Sequence, residues 1–368
     1  MPVPLSRPPV DDEIKAAVLA AIDSRQYILG PECKAFEQEF ARYMGMKHAV
    51  LTSSATAAIW MILKAFGVKA EDEVLVPSHT AFPSVEAICF AGATPIFVDV
   101  DDSYTVDLKD AAAKVSPRTV GFVPVHLYGH PADLDGIRRL CAERSLWLLE
   151  DCAQAHGAAW QGRKVGTFGR AAAFSFYPSK NLTVMGDGGC ICTNDDTLAE
   201  RLRKLRNHGR KDKYTNDEIG YNLRFNEVQA AVGRVGLKHL DELNAHRRQV
   251  AARYTERLKG IVPTPPERSY AYHVYHMYVI RCGERGTAQA TRDALAKFLQ
   301  EHGIGTGIHY PVANHQQPAM TKMFQDIPKL PRTEQAVKEI LSLPIYGELS
   351  LDDVDYVCDR IAEFYGKK

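Results

Sequence analysis

The stretch AAAFSFYPSKNLTVMGDGGCICTND, residues 171–195, decides the fold. Two short apolar runs, AAAFSFYP and GCICTND, bracket a turn that carries one lysine, Lys180, and a glycine cluster. Upstream, EVLVPS (73–78), TPIFVDV (94–100), TVGFVPVHL (119–127) and LWLLED (146–151) repeat the apolar run. Helical spacing fills the gaps at 84–90 and 132–143, and follows at 196–207. Short, nearly all-apolar strands separated by helical patterns are the signature of a sheet covered on both faces. The expectation is an α/β fold, a mostly parallel sheet sandwiched by helices.

At the N-terminal side, Ile14, Ala17, Val18, Ala21 and Ile22 fall on one helical face behind Asp11 and Asp12. TSSATAAIWMILKAFG (52–67) is a polar turn opening into a helix. A long helical pattern runs from about 226 to 258, and its Gly233 and Gly236 are close-packing positions rather than a break. The prolines of VPTPPERS (262–269) mark a linker or excursion, and the remainder alternates fewer strands and helices. This gives a large domain over 1–245 and a smaller C-terminal α+β domain over 246–368, with the N-terminal segment free to pack on the latter. A length of 368 residues agrees with two domains.

Lysine plus arginine number 45 and aspartate plus glutamate 45, so no basic excess points to nucleic acid or an anionic membrane. No apolar run approaches a membrane span, and the opening residues lack the basic-then-apolar order of a signal peptide. The eight cysteines are scattered without a CxxC pair, which predicts reduced, mostly buried thiols in a cytoplasmic protein.

Ligands of open α/β sheets sit at the carboxyl ends of the strands. There the chain delivers Asp151 and Gln154, Ser175 and Lys180, and Ser78, His79, Thr80 and Phe82, while Ser53, Ser54 and Thr56 open a helix whose N–H groups suit an anion. Singly, each has a bland explanation: a solvated lysine, an N-capping Asp151, a core Phe82. Together an amine, a carboxylate, an amide, an anion cradle and an aromatic ring match pyridoxal phosphate, with the lysine forming a Schiff base and the carboxylate holding the pyridinium proton.

In order along the chain, ILGPECKAFEQEFARYMG, DEVLVPSHTAF, EDCAQAHGA, VGTFGRAAAFSFYPSKNLTVMGDGGCICTND, GYNLRFNEVQAAVG and GIHYPV resemble the DegT-type (DegT/DnrJ/StrS) sugar aminotransferases. The resemblance implies the aspartate aminotransferase-like (fold type I) fold of pyridoxal-phosphate transferases. It implies Lys180 as the catalytic Schiff-base lysine, Asp151 at the pyridine nitrogen and Gln154 near the ring hydroxyl. The phosphate falls to Ala55 (where the family has Gly), Thr56 and Ser175, and to Asn222 of the neighbouring subunit in a homodimer. Phe82 is assigned to stack on the ring, although the family's aromatic aligns with Ala81. His309 and Tyr310 fall near the sugar-nucleotide entrance. Related sugar 3-dehydratases carry His at the Lys180 place, so this chain is expected to transaminate. The implied reaction moves an amino group from L-glutamate to a nucleotide-linked 3-keto or 4-keto deoxyhexose, with pyridoxamine 5'-phosphate as the intermediate cofactor form. A free cyclitol ketone as acceptor, or a non-catalytic cofactor-bound regulatory protein, are the alternatives.

DVDDSYTVDLKD (99–110) has Tyr104 where a calcium loop needs glycine, and is expected to be a solvated strand-to-helix turn. His126, His130, His309 and His315 lack zinc-site spacing. The basic run 201–213 is expected to be a solvated helix face, with the His208–Gly209–Arg210 turn available to a diphosphate.

Overall fold

Residues 2–283 and 287–366 are described by the structure, a computed structural model. The central sheet has seven strands in the spatial order β1 (His48–Thr52), β9 (Gly189–Thr193), β8 (Ala171–Ser175), β5 (Trp147–Asp151), β4 (Thr119–Phe122), β2 (Glu73–Pro77) and β3 (Thr94–Val98). From β8 through β3 every pairing is parallel; β9 alone runs against both of its neighbours. Both faces are covered, so alternate strand residues enter different cores. Leu51, Leu75, Leu148, Ala172 and Phe174 join one cluster with Phe36, Phe40 and Met44 of α2 (Pro31–Met44). Val50, Val74, Leu149, Ala171 and Ala173 join the other, with Ile59 and Ile62 of α3 (Ala55–Ala65), Val85 and Ile88 of α4 (Pro83–Phe90), and Leu198 and Leu202 of α7 (Asp196–Leu205). α1 (Asp12–Asp23) precedes them in sequence, and α5 (Leu108–Ala113) and α6 (Leu134–Arg144) lie between α4 and α7. A small three-stranded sheet joins β10 (Ala271–Tyr272), β6 (Ala159–Trp160) and β7 (Arg163–Lys164).

One strand expectation needs correction, and one strand lay outside the expected set. The run 119–127 pairs regularly only to Phe122, because Pro124 has no N–H to donate, and only a bridge from Val125 to Asp151 continues it. HAVLT forms the edge strand β1, which the pattern of longer apolar runs does not reveal.

The long helix α8 (Glu227–Arg257) spans 31 residues and serves two cores. Early in it, a Cβ on Gly233 would meet the Phe36 ring at 2.5 Å, and one on Gly236 would meet Leu182 at 2.9 Å, so both glycines are sites of close packing. Later, Val250, Ala251 and Tyr254 enter a separate cluster with Tyr278 and Ile280 of β11 (Tyr278–Arg281), Leu295 and Leu299 of α9 (Ala288–Glu301), Leu341 and Leu343 of β12 (Ile340–Leu343), and Val357 and Ile361 of α12 (Leu351–Phe364). Val3 lies in the same cluster, where its N–H meets the Gly303 carbonyl at 2.9 Å.

The 99–110 turn is buried rather than solvated. Asp99 accepts from the N–H and hydroxyl of Thr333 and from the Arg332 N–H, in the first turn of α11 (Pro331–Glu339). Its carboxylate therefore caps a helix more than two hundred residues away. The preceding α10 (Pro318–Met323) completes the elements. All eight cysteines are unpaired and all but Cys89 are buried. No helix among the described residues is long and apolar enough to cross a membrane.

Candidate active site

The parallel strands end on one cavity of about 730 Å³, its open mouth included. β5 delivers Asp151, which is buried at its C-terminal end. One carboxylate oxygen accepts the Ser84 hydroxyl at 2.7 Å and the other accepts the Ala153 N–H at 3.0 Å. Ser84 reaches it from the first turn of α4. Burial pushes the Asp151 carboxyl above its usual range, while Ser84, the Ala153 N–H and the Lys180 charge oppose the rise.

Lys180 follows β8 through a turn closed by its own N–H on the Tyr177 carbonyl at 2.8 Å. Burial pulls its amine down to about 8, with Asp151 acting against the shift. The two groups move toward neutrality from opposite sides because desolvation outweighs their mutual attraction. A share of the Lys180 amine is thereby unprotonated, and so nucleophilic, near neutral pH.

At the other end, Ser54 caps α3. Its hydroxyl accepts the Ala57 N–H at 3.1 Å and its carbonyl the Ala58 N–H. The N–H groups of Ala55 and Thr56, on the cavity wall, have no acceptor among the described residues. That is an anion cradle by geometry and dipole, with Ser175 and Gly188 beside it. Glycine is required next to it: a Cβ on Gly189 would stand 2.4 Å from the Ser54 carbonyl carbon and 2.7 Å from the Ala55 nitrogen. The glycine cluster after Lys180 lets β9 start against the first turn of α3.

Gln154 is oriented by its neighbours. Its Oε1 accepts the Tyr128 N–H at 2.7 Å, and its Nε2 donates to the Tyr310 hydroxyl at 3.0 Å. Tyr128 adopts a left-handed backbone (φ 58°) to make that contact, and its hydroxyl reaches the His309 carbonyl and His79 Nε2.

Six of the expected residues, Ala55, Thr56, Asp151, Gln154, Ser175 and Lys180, therefore share one cavity. Tyr310 joins through Gln154, and its neighbour His309 is held by the Ser342 hydroxyl at 2.8 Å. Phe82 does not line the cavity. It packs on the α3–α4 core while Ala81 faces the opening, since successive residues entering α4 point apart. Asn222 is exposed outside the cavity on a segment bridged to Asn207. Sequence reasoning missed Ser84 and Tyr177. A serine at the start of a helix that follows a strand end was the available signal for the first. His126, Glu150 and Cys152 cluster behind β5. Glu150 accepts three backbone N–H groups there, from Gly166, Phe168 and Gly169, each at 2.7 Å, and Nε2 of His126 at 3.2 Å. A larger opening between α9 and α11, about 940 Å³, is mostly helix surface with Glu334, Gln335 and Lys338. Space alone does not mark the site.

The cavity suits pyridoxal phosphate: a free pair of N–H donors for the phosphate, a buried carboxylate for the pyridine nitrogen, a carboxamide between, and an amine held near neutrality. The chain belongs to the DegT/DnrJ/EryC1/StrS aminotransferase family, whose model matches residues 8–362. It is 42% identical over 355 residues to the dTDP-3-amino-3,4,6-trideoxy-alpha-D-glucose transaminase of Streptomyces venezuelae, covering 96% of this chain and 92% of that one. A pleiotropic regulatory protein of Geobacillus stearothermophilus is 40% identical over 363 residues, 96% of each chain. Among solved structures, S. venezuelae DesV in complex with a ketimine intermediate superposes with a TM-score of 0.93 at 40% identity, over 100% of this chain and 99% of that one. The protein is thus a pyridoxal-phosphate-dependent aminotransferase with the α/β fold of that class.

Proposed function

We propose that the protein transfers an amino group from L-glutamate to a keto-deoxysugar, a 3-keto or 4-keto hexose carried on a nucleotide diphosphate. It acts in the cytoplasm as a homodimer in which Asn222 serves the neighbouring site. The observation that carries the proposal is Lys180, its amine lowered to about 8 beside the buried Asp151. A protein that only bound the cofactor would gain nothing from an amine poised to lose its proton. The nucleotide-sugar class rests on relatives that act on nucleotide-linked deoxysugars.

Bound pyridoxal phosphate supplies an electron sink conjugated to the substrate carbon. The residues of the chain do the rest. The first turn of α3 and Ser175 would hold the phosphate, and Asp151 would hold a proton at the pyridine nitrogen. Gln154, fixed by Tyr128, orients the ring. With the cofactor bound, Lys180 would serve as the general base and acid, taking a proton from the donor carbon and giving it back. The same steps in reverse serve the keto acceptor. Two half-reactions on one site predict ping-pong kinetics with parallel double-reciprocal lines.

The test is the absorption spectrum of the loaded protein with L-glutamate. Loss of the visible band with gain of a near-ultraviolet band is expected, and an unchanged spectrum removes glutamate as donor. Lys180→Ala is expected to lower turnover by at least about a thousandfold while circular dichroism stays that of the wild type. A free cyclitol ketone offered beside a nucleotide-linked ketone separates the two acceptor classes.

A further inference from the structure

Asn181, the residue after Lys180, is buried, and its side chain makes three contacts at once. Its Nδ2 donates to Asn244 Oδ1 at 2.8 Å and to the Val274 carbonyl at 3.0 Å. A carbonyl oxygen can only accept, so the Val274 contact fixes which end of the amide is nitrogen. Asn244, buried on α8, is fixed in the same way, since its Nδ2 donates to the His156 carbonyl at 2.8 Å. That leaves Asn181 Oδ1 as an acceptor, and it receives Nδ1 of His276 at 3.2 Å. Nδ1 therefore carries the ring proton of His276. Its Nε2 is left as a buried lone pair with no partner among the described residues. His126 is the contrast: its Nδ1 accepts the Ala132 N–H at 3.0 Å and its Nε2 donates to Glu150, so that ring is complete.

One amide thus joins the turn that carries Lys180, the long helix α8, and the 273–276 segment between β10 and β11. The His156, His276 and His309 rings all feel the Lys180 charge. Burial first and that charge second bring His156 to about 3 and His309 to about 4. Burial, then Lys180, Arg247, His156 and His309, hold His276 well below its usual value. The charge that acts on the Lys180 amine is that of Asp151.

We propose that Asn181 is a positioning residue for Lys180: it clamps the lysine turn to α8 and to the 273–276 segment, and it locks His276 as the neutral Nδ1–H form. The proposal rests on Lys180 as the cofactor lysine, as above. That amine must lose a proton to become a nucleophile, and any further charge nearby moves the pH at which it does so. An amide supplies two donors and an acceptor without a charge. A carboxylate in its place keeps the bond to His276, loses both donations and adds a negative charge.

One measurement follows the 15N shifts of labelled histidine in the cofactor-free protein, with His276→Gln identifying the signal. His276 is expected as the neutral Nδ1–H tautomer between about pH 6 and 9. The other measures, by stopped flow across pH, how fast the cofactor-free protein captures pyridoxal phosphate. Asn181→Asp is expected to raise the midpoint of that profile by roughly half to one unit, because a carboxylate favours the protonated amine. A merely structural role would slow capture without moving the midpoint. His276→Ala is expected to slow capture roughly tenfold, and His276→Gln, which returns a neutral donor to Asn181 Oδ1, to recover most of the loss. If Asn181→Asp does not fold, the wild-type tautomer and the two His276 variants carry the test. A charged or Nε2–H His276 in the wild type overturns the proposal, as does a folded Asn181→Asp with the wild-type midpoint. A Lys180→Ala variant that captures the cofactor with wild-type visible absorbance overturns it through the lysine instead. The histidine spectrum needs no cofactor, so the two failures are told apart.

Discussion

Glu150 and Asp151 are adjacent on β5, both buried, and they point to opposite faces of the sheet. Glu150 accepts four donors, three of them backbone N–H groups of the 166–169 loop, and so fastens that loop beneath the sheet. Asp151 has two donors and an open side on the cavity, and burial raises it. The difference teaches that a buried charge whose hydrogen bonds are complete is scaffold, and one left incomplete beside a cavity awaits a ligand.

The strongest way to break this contrast is to exchange each carboxylate for its amide. Glu150→Gln turns an amide toward donors that need an acceptor, and is expected to cost about 3 kcal/mol or more in urea unfolding. Asp151→Asn is expected to change stability by less than about 1 kcal/mol, yet to lower turnover roughly a hundredfold. Equal losses in both assays for both variants would end the distinction.

A pH titration sharpens it. Neutral amine appears above the depressed value of Lys180, so the rate at which cofactor-free protein captures pyridoxal phosphate should climb as pH rises through about 8 and then level. An ordinary lysine would place that rise near 10.5. Asp151→Asn removes the charge that opposes the shift, and so moves the midpoint lower still. Between about 8 and 10.5 the unfolded amine holds a proton that the folded one has released, so this group makes the folded state more stable as pH rises across that window. Stopped-flow capture rates across pH give the midpoint.

The smallest expected effect is at the phosphate end. Gly189→Ala places a methyl 2.4 Å from the Ser54 carbonyl carbon, and backbone must yield. A loss of about 1–3 kcal/mol is expected, read as a lower melting temperature together with weaker cofactor affinity. Weaker affinity at unchanged stability would locate the effect in the cradle alone.

Much of this was legible in the chain. Apolar runs at strand length located the sheet, and strand-end residues named Asp151, Gln154, Ser175 and Lys180, because parallel topology puts strand ends together whatever the details. The opening of α3 is equally local, since a serine cap leaves N–H groups free wherever it occurs. Other features had no local signal. Phe82 is apolar beside an apolar helix, and only packing turned it into the core and Ala81 to the cavity. Asp99 looks like a solvated turn residue until Thr333 arrives on it.

By itself, then, the sequence determined most strands of the sheet and the placing of Lys180 and Asp151 at their ends, because period, strand-end position and residue chemistry are properties of neighbours along the chain. Only the tertiary structure decided that Ser84 would bond Asp151, that Tyr128 would orient Gln154, and that Tyr310 would meet it. Partners far apart in sequence meet only when burial selects them, and the cost of an unmatched charge exists only once water has been excluded.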